Sequence, residues 1–230
     1  MAILIVPKTV RLWKDTLKAS VRNYQFNRTL ERIGREAPAK VPDRKIIEAL
    51  FFASGNQSYG ADPEYLDEVV RRSATTSKPI LECGSGLTTI LLGLFAGARG
   101  VPVWSLEHDP EWYESTTAMI RRYQIENVHL LRSSLRSYGD YSWYDAPLAQ
   151  MPKHFGMVVC DGPPKKSTTG DRYGLIPVMR NRLGTDSVIL LDDVALENPD
   201  PVLSRWLDEV SASYQLFPSR ASSYAVIMLR

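Results

Sequence analysis

Four acidic positions in this chain each follow a short apolar run, and a glycine pair accompanies the first. Pro79-Ile80-Leu81 leads into Glu82, then Gly84-Ser85-Gly86 and Leu87-Thr88-Thr89. Val103 to Leu106 leads into Glu107, twenty-one residues past Gly86. Met157 to Cys160 leads into Asp161, and Val188 to Leu191 into Asp192 and Asp193. A carboxylate after apolar residues is costly to bury without a partner, so four strands ending this way argue for one shared polar site. The glycines allow a tight turn and close backbone approach to a ligand. The helix opening at Thr88 and Thr89 offers N–H groups and a positive dipole end to a carboxylate, and Glu107 can accept hydrogen bonds from a ribose diol. This is the layout of a nucleotide-binding βαβ unit. Glu82, two residues before Gly84, tilts the ligand away from a dinucleotide, as does Thr89 where a dinucleotide loop has Gly or Ala.

The elements that must position these residues alternate. Apolar runs predict strands at about 79–83, 102–107, 128–132, 156–161, 187–192, 213–217 and 223–229. Helices are expected near 87–96, 110–123, 172–182 and 200–211. Such alternation implies an α/β fold: a Rossmann-like, doubly wound, seven-stranded and mostly parallel sheet with helices on both faces. Pro218-Ser219-Arg220-Ala221-Ser222 is too short for a parallel crossover, so the last two strands pair antiparallel. Residues 46–230 are read as this domain and 1–45 as a basic helical extension ending in the Pro38–Pro42 linker. Asp43 and Asp62 are expected to cap helices over 43–52 and 63–72.

Glu82, Gly84 and Gly86, Glu107, and the later acidic strand ends in order resemble the class I S-adenosylmethionine-dependent methyltransferases over roughly residues 60–230. The resemblance implies S-adenosylmethionine as cofactor and the antiparallel final strand. It also implies a cofactor pocket built from Glu82, Gly84, Ser85, Gly86, Thr88, Glu107, His108 and Asp161, with Ser134 beside Leu135 near the adenine. Within the class, Asp161, Asp192, Asp193 and the run Asp171-Arg172-Tyr173 are similar to the catechol-type, metal-dependent O-methyltransferases. On that likeness the three aspartates hold Mg²⁺, which would lower a substrate hydroxyl's pKa and orient its oxygen. Asp161, Lys165 and Asp193 are then the expected catalytic groups. The chain departs from those enzymes at Gly162-Pro163-Pro164, which displaces the lysine, and a metal-free arrangement stays open.

His129, within a strand, reads as structural, and His154 precedes its strand at the wrong end of the sheet. Tyr138, Tyr141, Trp143 and Tyr144 form either a lid over the substrate or an aromatic loop packed on the domain edge. Asn56 to Asp62 is a second candidate cover. Cys83 and Cys160 end neighbouring strands and read as small buried thiols outside any disulfide framework.

The net charge of +2 conceals an asymmetry: residues 1–50 carry 11 Lys/Arg against 5 Asp/Glu, and the other 180 carry 17 against 21. An acidic main domain disfavours nucleic acid and favours a small-molecule or sugar-like methyl acceptor with a hydroxyl. A nucleic-acid methyltransferase, an aminopropyl transferase and a non-catalytic cofactor-binding module are the alternatives. Val10, Trp13, Leu17, Val21 and Tyr24 recur at helical steps, with Arg11, Lys14, Lys18 and Arg22 on the other faces. Such a helix either packs on its own domain or lies on an anionic membrane surface or acidic partner. Ala2 to Val6 is too short for a secretory signal, so a cytoplasmic location is expected.

Overall fold

The computed structural model describes residues 8–56, 60–196 and 200–230, and the side chains of the first helix from Leu17 onward. Val10, Arg11, Trp13 and Lys14 of the amphipathic pattern, and Gln57 to Tyr59 of the expected cover loop, lie outside the described side chains or residues.

Seven strands form one sheet: β1 (Ile80–Cys83), β2 (Val103–Glu107), β3 (Val128–Arg132), β6 (Phe155–Cys160), β7 (Leu183–Leu191), β8 (Ala212–Pro218) and β9 (Ser223–Leu229), in the order β3-β2-β1-β6-β7-β9-β8. The first five are parallel, and β9 runs antiparallel between β7 and β8. The turn from Pro218 to Ser223 is closed by Ser219 N–H donating to the Ser222 carbonyl at 3.1 Å. Connections diverge between β1 and β6, so the open crevice of this fold lies at their carboxyl ends.

Residues alternating along the strands feed two cores. Ile80, Val103, Met157, Val159 and Leu190 face one side, where α2 (Arg44–Ser54), α3 (Pro63–Ser73) and α4 (Leu87–Gly97) cover them. Leu81, Leu106, Val158, Ile189 and Leu191 face the other side, under α6 (Leu175–Met179) and α7 (Pro201–Glu209). A strand buried on both faces has to be apolar throughout, which is why the strand-end acids stood out. α5 (Pro110–Arg122) starts at Asp109, whose carboxylate accepts from the N–H groups of Glu111 and Trp112.

Three local readings change. The expected helix over 172–182 is shorter, because the chain leaves α6 in a single 3-10 turn and enters β7 early. The aromatic connection contains a hairpin, β4 (Leu135–Ser137) with β5 (Ser142–Tyr144), which buries Trp143 and Tyr144 completely; the packed-loop reading holds for those two rings. Asp43 and Asp62 occupy N-cap positions without capping through their side chains. Asp62 Oδ2 instead accepts from Ser219 Oγ at 2.9 Å and Ala221 N–H at 2.6 Å, tying α3 to the β8–β9 turn.

The helix of the expected extension, α1 (Lys8–Glu36), is divided. Phe26, Leu30 and Ile33 are buried in the same core as α2 and α4, so the second half of the helix is part of the domain. Every residue from Leu17 to Gln25 is exposed. Among the described residues no helix is long and apolar enough to cross a membrane.

Candidate active site

The glycine loop is held from below and from the side by the two glutamates. Glu82 points into the protein, where its Oε2 accepts from Ser105 Oγ and Thr89 Oγ1, both at 2.6 Å. Thr89 Oγ1 in turn accepts from Gly86 N–H at 2.9 Å. Burial drives the Glu82 pKa up to about 7, against the pull of the surrounding hydroxyls. Glu82 therefore shapes the loop from its protein side and does not line the crevice. Thr88 is buried beside it.

Glu107 is buried and fully engaged. Its Oε2 accepts from Ser85 N–H and Ser85 Oγ, both at 2.8 Å, and its Oε1 from Asp109 N–H at 2.8 Å, with His108 Nδ1 at 3.2 Å. Burial alone would raise its pKa, but these donors outweigh it and keep the carboxylate ionised. An ionised acid at the end of β2 suits a ribose diol, and Ser85 is the group that a diol would displace.

The two glycines do different work. Gly84, at φ +90°, has the Gly162 nitrogen 2.9 Å from where its Cβ would stand. Its missing side chain makes room for the β6 loop, not for a ligand. Around Gly86, by contrast, no described atom lies within 4 Å of the Cβ position, so Gly86 is the open edge of the loop. Gly162 is equally confined: a Cβ there would stand 2.5 Å from the Tyr144 hydroxyl and 2.9 Å from Gly84 Cα.

Two polar groups face this corner: Ser133, which the sequence did not single out, and Tyr144, expected in the lid or packed aromatic loop. Ser133 is buried, and its hydroxyl has no hydrogen-bond partner among the described residues; its N–H donates to the Glu107 carbonyl at 2.7 Å. Ser134, the expected adenine contact, is exposed. The strand ends at Arg132 and the chain turns inward one residue sooner than expected, a phase that adjacent serines cannot signal. The Tyr144 hydroxyl is likewise buried and unpartnered, against Gly162 and edge-on to the His108 ring at 6.1 Å. These orphaned donors beside an ionised Glu107 and an open Gly86 fit an adenosyl cofactor, whose ribose and base carry the complementary groups.

Across the crevice the β6 and β7 acids converge on one cation, the Arg172 guanidinium. Arg172 is buried, and its Nη2 lies 3.2 Å from Asp161 Oδ1 and 3.1 Å from Asp193 Oδ2. The same guanidinium donates to the backbone carbonyls of Asp161 and Asp192. Burial opposes its charge, but Asp161, Asp193 and Asp192 outweigh that and raise its pKa. For Asp161 the balance is reversed: burial raises its pKa despite the attraction of Arg172. Asp192 is raised further, by burial and by its two acidic neighbours. Its Oδ1 accepts from Asp193 N–H at 3.0 Å. Lys165 sits at the rim, exposed, 3.5 Å from Asp171 Oδ2 and 3.3 Å from the Asp193 carbonyl.

This arrangement does not fit the expected Mg²⁺ site. One oxygen of each of Asp161 and Asp193 is turned onto the Arg172 cation, and no three acidic, histidine or cysteine side chains converge as metal ligands among the described residues. The base beside an acid in Asp171-Arg172-Tyr173 was the available signal. Tyr173 anchors that run on α7: its hydroxyl donates to Glu209, its carbonyl accepts from Trp206 Nε1 at 2.8 Å, and Arg205 covers its ring at 3.3 Å.

The histidines set aside lie elsewhere. His129 is exposed on β3 and stacks on Trp104 at 4.3 Å. His154 pairs with Asp186 at 2.9 Å near the amino end of β6. Cys83 and Cys160 are register partners on β1 and β6, buried and free.

No family model and no curated protein sequence matches the chain. Solved structures do. The chain is similar to the S-adenosylhomocysteine-bound methyltransferase PaMTH1 of Podospora anserina, at 14% identity over 100% of this chain and 99% of that one, with a TM-score of 0.57. It is similar to an O-methyltransferase of Bacillus cereus in complex with S-adenosylhomocysteine, at 14% identity over 83% and 93% of the two chains and a TM-score of 0.54. It is also similar to the ribosomal protein L11 methylase of Lactobacillus delbrueckii subsp. bulgaricus, at 16% identity over 76% and 81% and a TM-score of 0.54. The glycine loop after β1, the acid after β2 and the antiparallel β9 thus belong to a sheet whose fold is that of the class I S-adenosylmethionine-dependent methyltransferases.

Proposed function

We propose that this protein transfers the methyl group of S-adenosylmethionine to a hydroxyl oxygen of a small-molecule acceptor, without a divalent metal. The observation that carries the reading is the pairing of two built half-sites across the β1–β6 crevice. One is the Glu107–Ser85 loop with its open Gly86 and the unpartnered Ser133 and Tyr144 hydroxyls; the other is the Asp161–Arg172–Asp193 cluster.

When bound, the cofactor supplies a sulfonium-activated methyl group. The chain's residues do the rest. Glu107 holds the diol end and Gly86 leaves room for the methionyl end. Asp161, whose pKa is raised by burial, is the base that takes the acceptor's hydroxyl proton as the oxygen–methyl bond forms and the sulfur–methyl bond breaks. Arg172 offsets the charge of Asp161 and Asp193 and orients both carboxylates, the part first assigned to a metal. Asp193 and Lys165 line the rim, where acceptor polarity is read. Two free buried thiols suit a reducing, cytoplasmic setting.

The test is calorimetric titration with S-adenosylmethionine, S-adenosylhomocysteine and NAD, each with Mg²⁺ and with EDTA, followed by label transfer from methyl-labelled cofactor to hydroxylated acceptors. Micromolar binding of both adenosyl ligands but not NAD, and methyl ether products formed equally in EDTA, are expected. Failure of both adenosyl ligands to bind refutes the cofactor assignment; transfer that requires Mg²⁺ refutes the role given to Arg172.

A further inference from the structure

α1 carries apolar residues on two opposed faces, and among the described residues only one of them has a partner in the fold. Phe26, Leu30 and Ile33, at four- and three-residue steps, enter the core. Leu17, Val21 and Tyr24, at the same steps, are 50%, 48% and 65% exposed. Leu17 and Phe26, and Val21 and Leu30, are nine residues apart, half a turn out of phase, so Leu17 and Val21 lie opposite the buried line, while Tyr24 borders a groove against Arg122 of α5. The reading that this stripe packs on its own domain therefore fails for Leu17 and Val21.

The exposed line does not end at Tyr24. It continues at helical steps through Arg28, Glu31 and Arg35, which with Arg122 of α5 line an open groove of about 520 Å³. From Leu17 to Arg35 the face is roughly 27 Å long. Its first part is apolar, flanked by exposed Lys18 and Arg22, and its second part presents three guanidinium groups against one carboxylate. In the sequence the same spacing runs back through Trp13 and Val10, and residues 8–28 hold six Lys/Arg and one Asp.

We propose that this face of α1 docks on an anionic membrane surface, with Leu17, Val21 and Tyr24 inserted at the headgroup boundary and Arg28, Arg35 and Arg122 on lipid phosphates. Charge complementarity selects the occupant. A second copy would set bases against bases in either helix direction, whereas an anionic bilayer offers an apolar layer directly beneath a negative plane, matching the two parts of this face. An aromatic with a polar tip at the junction of the two parts suits that boundary.

The test is sedimentation of the full chain with vesicles of pure phosphatidylcholine and of phosphatidylcholine containing about 30% phosphatidylserine, at about 0.1 M and about 0.5 M salt. The expected result is binding to the anionic vesicles only, weakened by salt. Leu17→Glu with Val21→Glu should abolish binding with thermal melting unchanged, since neither side chain is packed. Arg28→Gln with Arg35→Gln should weaken it by about fivefold per residue. Absence of binding to anionic vesicles, equal binding to both compositions, or retention by the Leu17→Glu/Val21→Glu chain would overturn the proposal. So would a dimer in light scattering that the same double substitution converts to monomer, because a second copy would then cover the stripe.

Discussion

Gly84 and Gly162 meet backbone to backbone at the β1–β6 switch point, each in the space where the other's side chain would stand. Gly162 N–H donates to the Cys83 carbonyl at 2.6 Å, and the Tyr144 hydroxyl caps the contact from above. The nucleotide loop and the acidic β6 loop are therefore one packed unit. An error in either one reaches both half-sites.

Gly162→Ala should destabilise the fold by about 1–3 kcal/mol, because the new methyl meets the Tyr144 hydroxyl and main chain that cannot yield. Tyr144→Phe removes that hydroxyl and should be near neutral alone, since the group is buried without a hydrogen-bond partner among the described residues. Urea denaturation of the single and double variants checks this: Tyr144→Phe should restore part of the loss in Gly162→Ala, and strict additivity would show that the hydroxyl contact is not the cause.

Glu107→Ala should weaken S-adenosylmethionine binding by the loss of charge-assisted hydrogen bonds, about 1.5–3 kcal/mol each. Ser85→Ala should leave affinity close to that of the parent, because Ser85 occupies Glu107 only until a diol does. Calorimetry on both variants decides, and equal losses would mean that Ser85 itself binds the ligand.

Arg172→Met leaves the part-buried Asp161 and the half-exposed Asp193 without their cation, which should cost about 1–3 kcal/mol of stability in urea denaturation, less than a fully buried pair because water screens Asp193. Arg172→Lys keeps the charge but not the planar fork that reaches four oxygens, so it should fold while losing turnover more than cofactor affinity. Turnover of the parent should be the same in EDTA and in millimolar Mg²⁺.

Glu82 has a folded pKa of about 7, above its unfolded value. The native state then holds a proton that the unfolded chain releases near pH 4.5, so the stability this group contributes is fully present below that pH and is lost as pH rises through 7. Asp161 and Asp192 are shifted in the same direction. Glu82→Gln removes one contributor, and its loss of stability between pH 5 and pH 8 should be smaller than the parent's by about 2.5 kcal/mol. Parallel curves for the two proteins would show that Glu82 is ionised throughout.

Much of this protein is written in local pattern. Strands buried on both faces must be apolar along their whole length, so the points where acids interrupt them, Glu82, Glu107, Asp161 and Asp192, are legible without coordinates, and with them the crevice at the strand ends. The seven strands and the antiparallel closure follow from run lengths and one short turn. What depended on contacts between distant segments was not legible. Ser133 and Ser134 differ only in which of them faces inward where β3 ends. Gly162 reads only as part of the Gly-Pro-Pro departure that displaces the expected lysine until Gly84 and Tyr144 are seen against it. Three aspartates suggest a metal until Arg172, brought in through Tyr173 and α7, takes their charge. The helical spacing of Leu17, Val21 and Tyr24 announces an apolar face, but only the packing of Phe26, Leu30 and Ile33 shows that Leu17 and Val21 point away from the domain. Composition and spacing determine which side chains must leave water; which neighbour each one meets is decided when the whole chain closes around them.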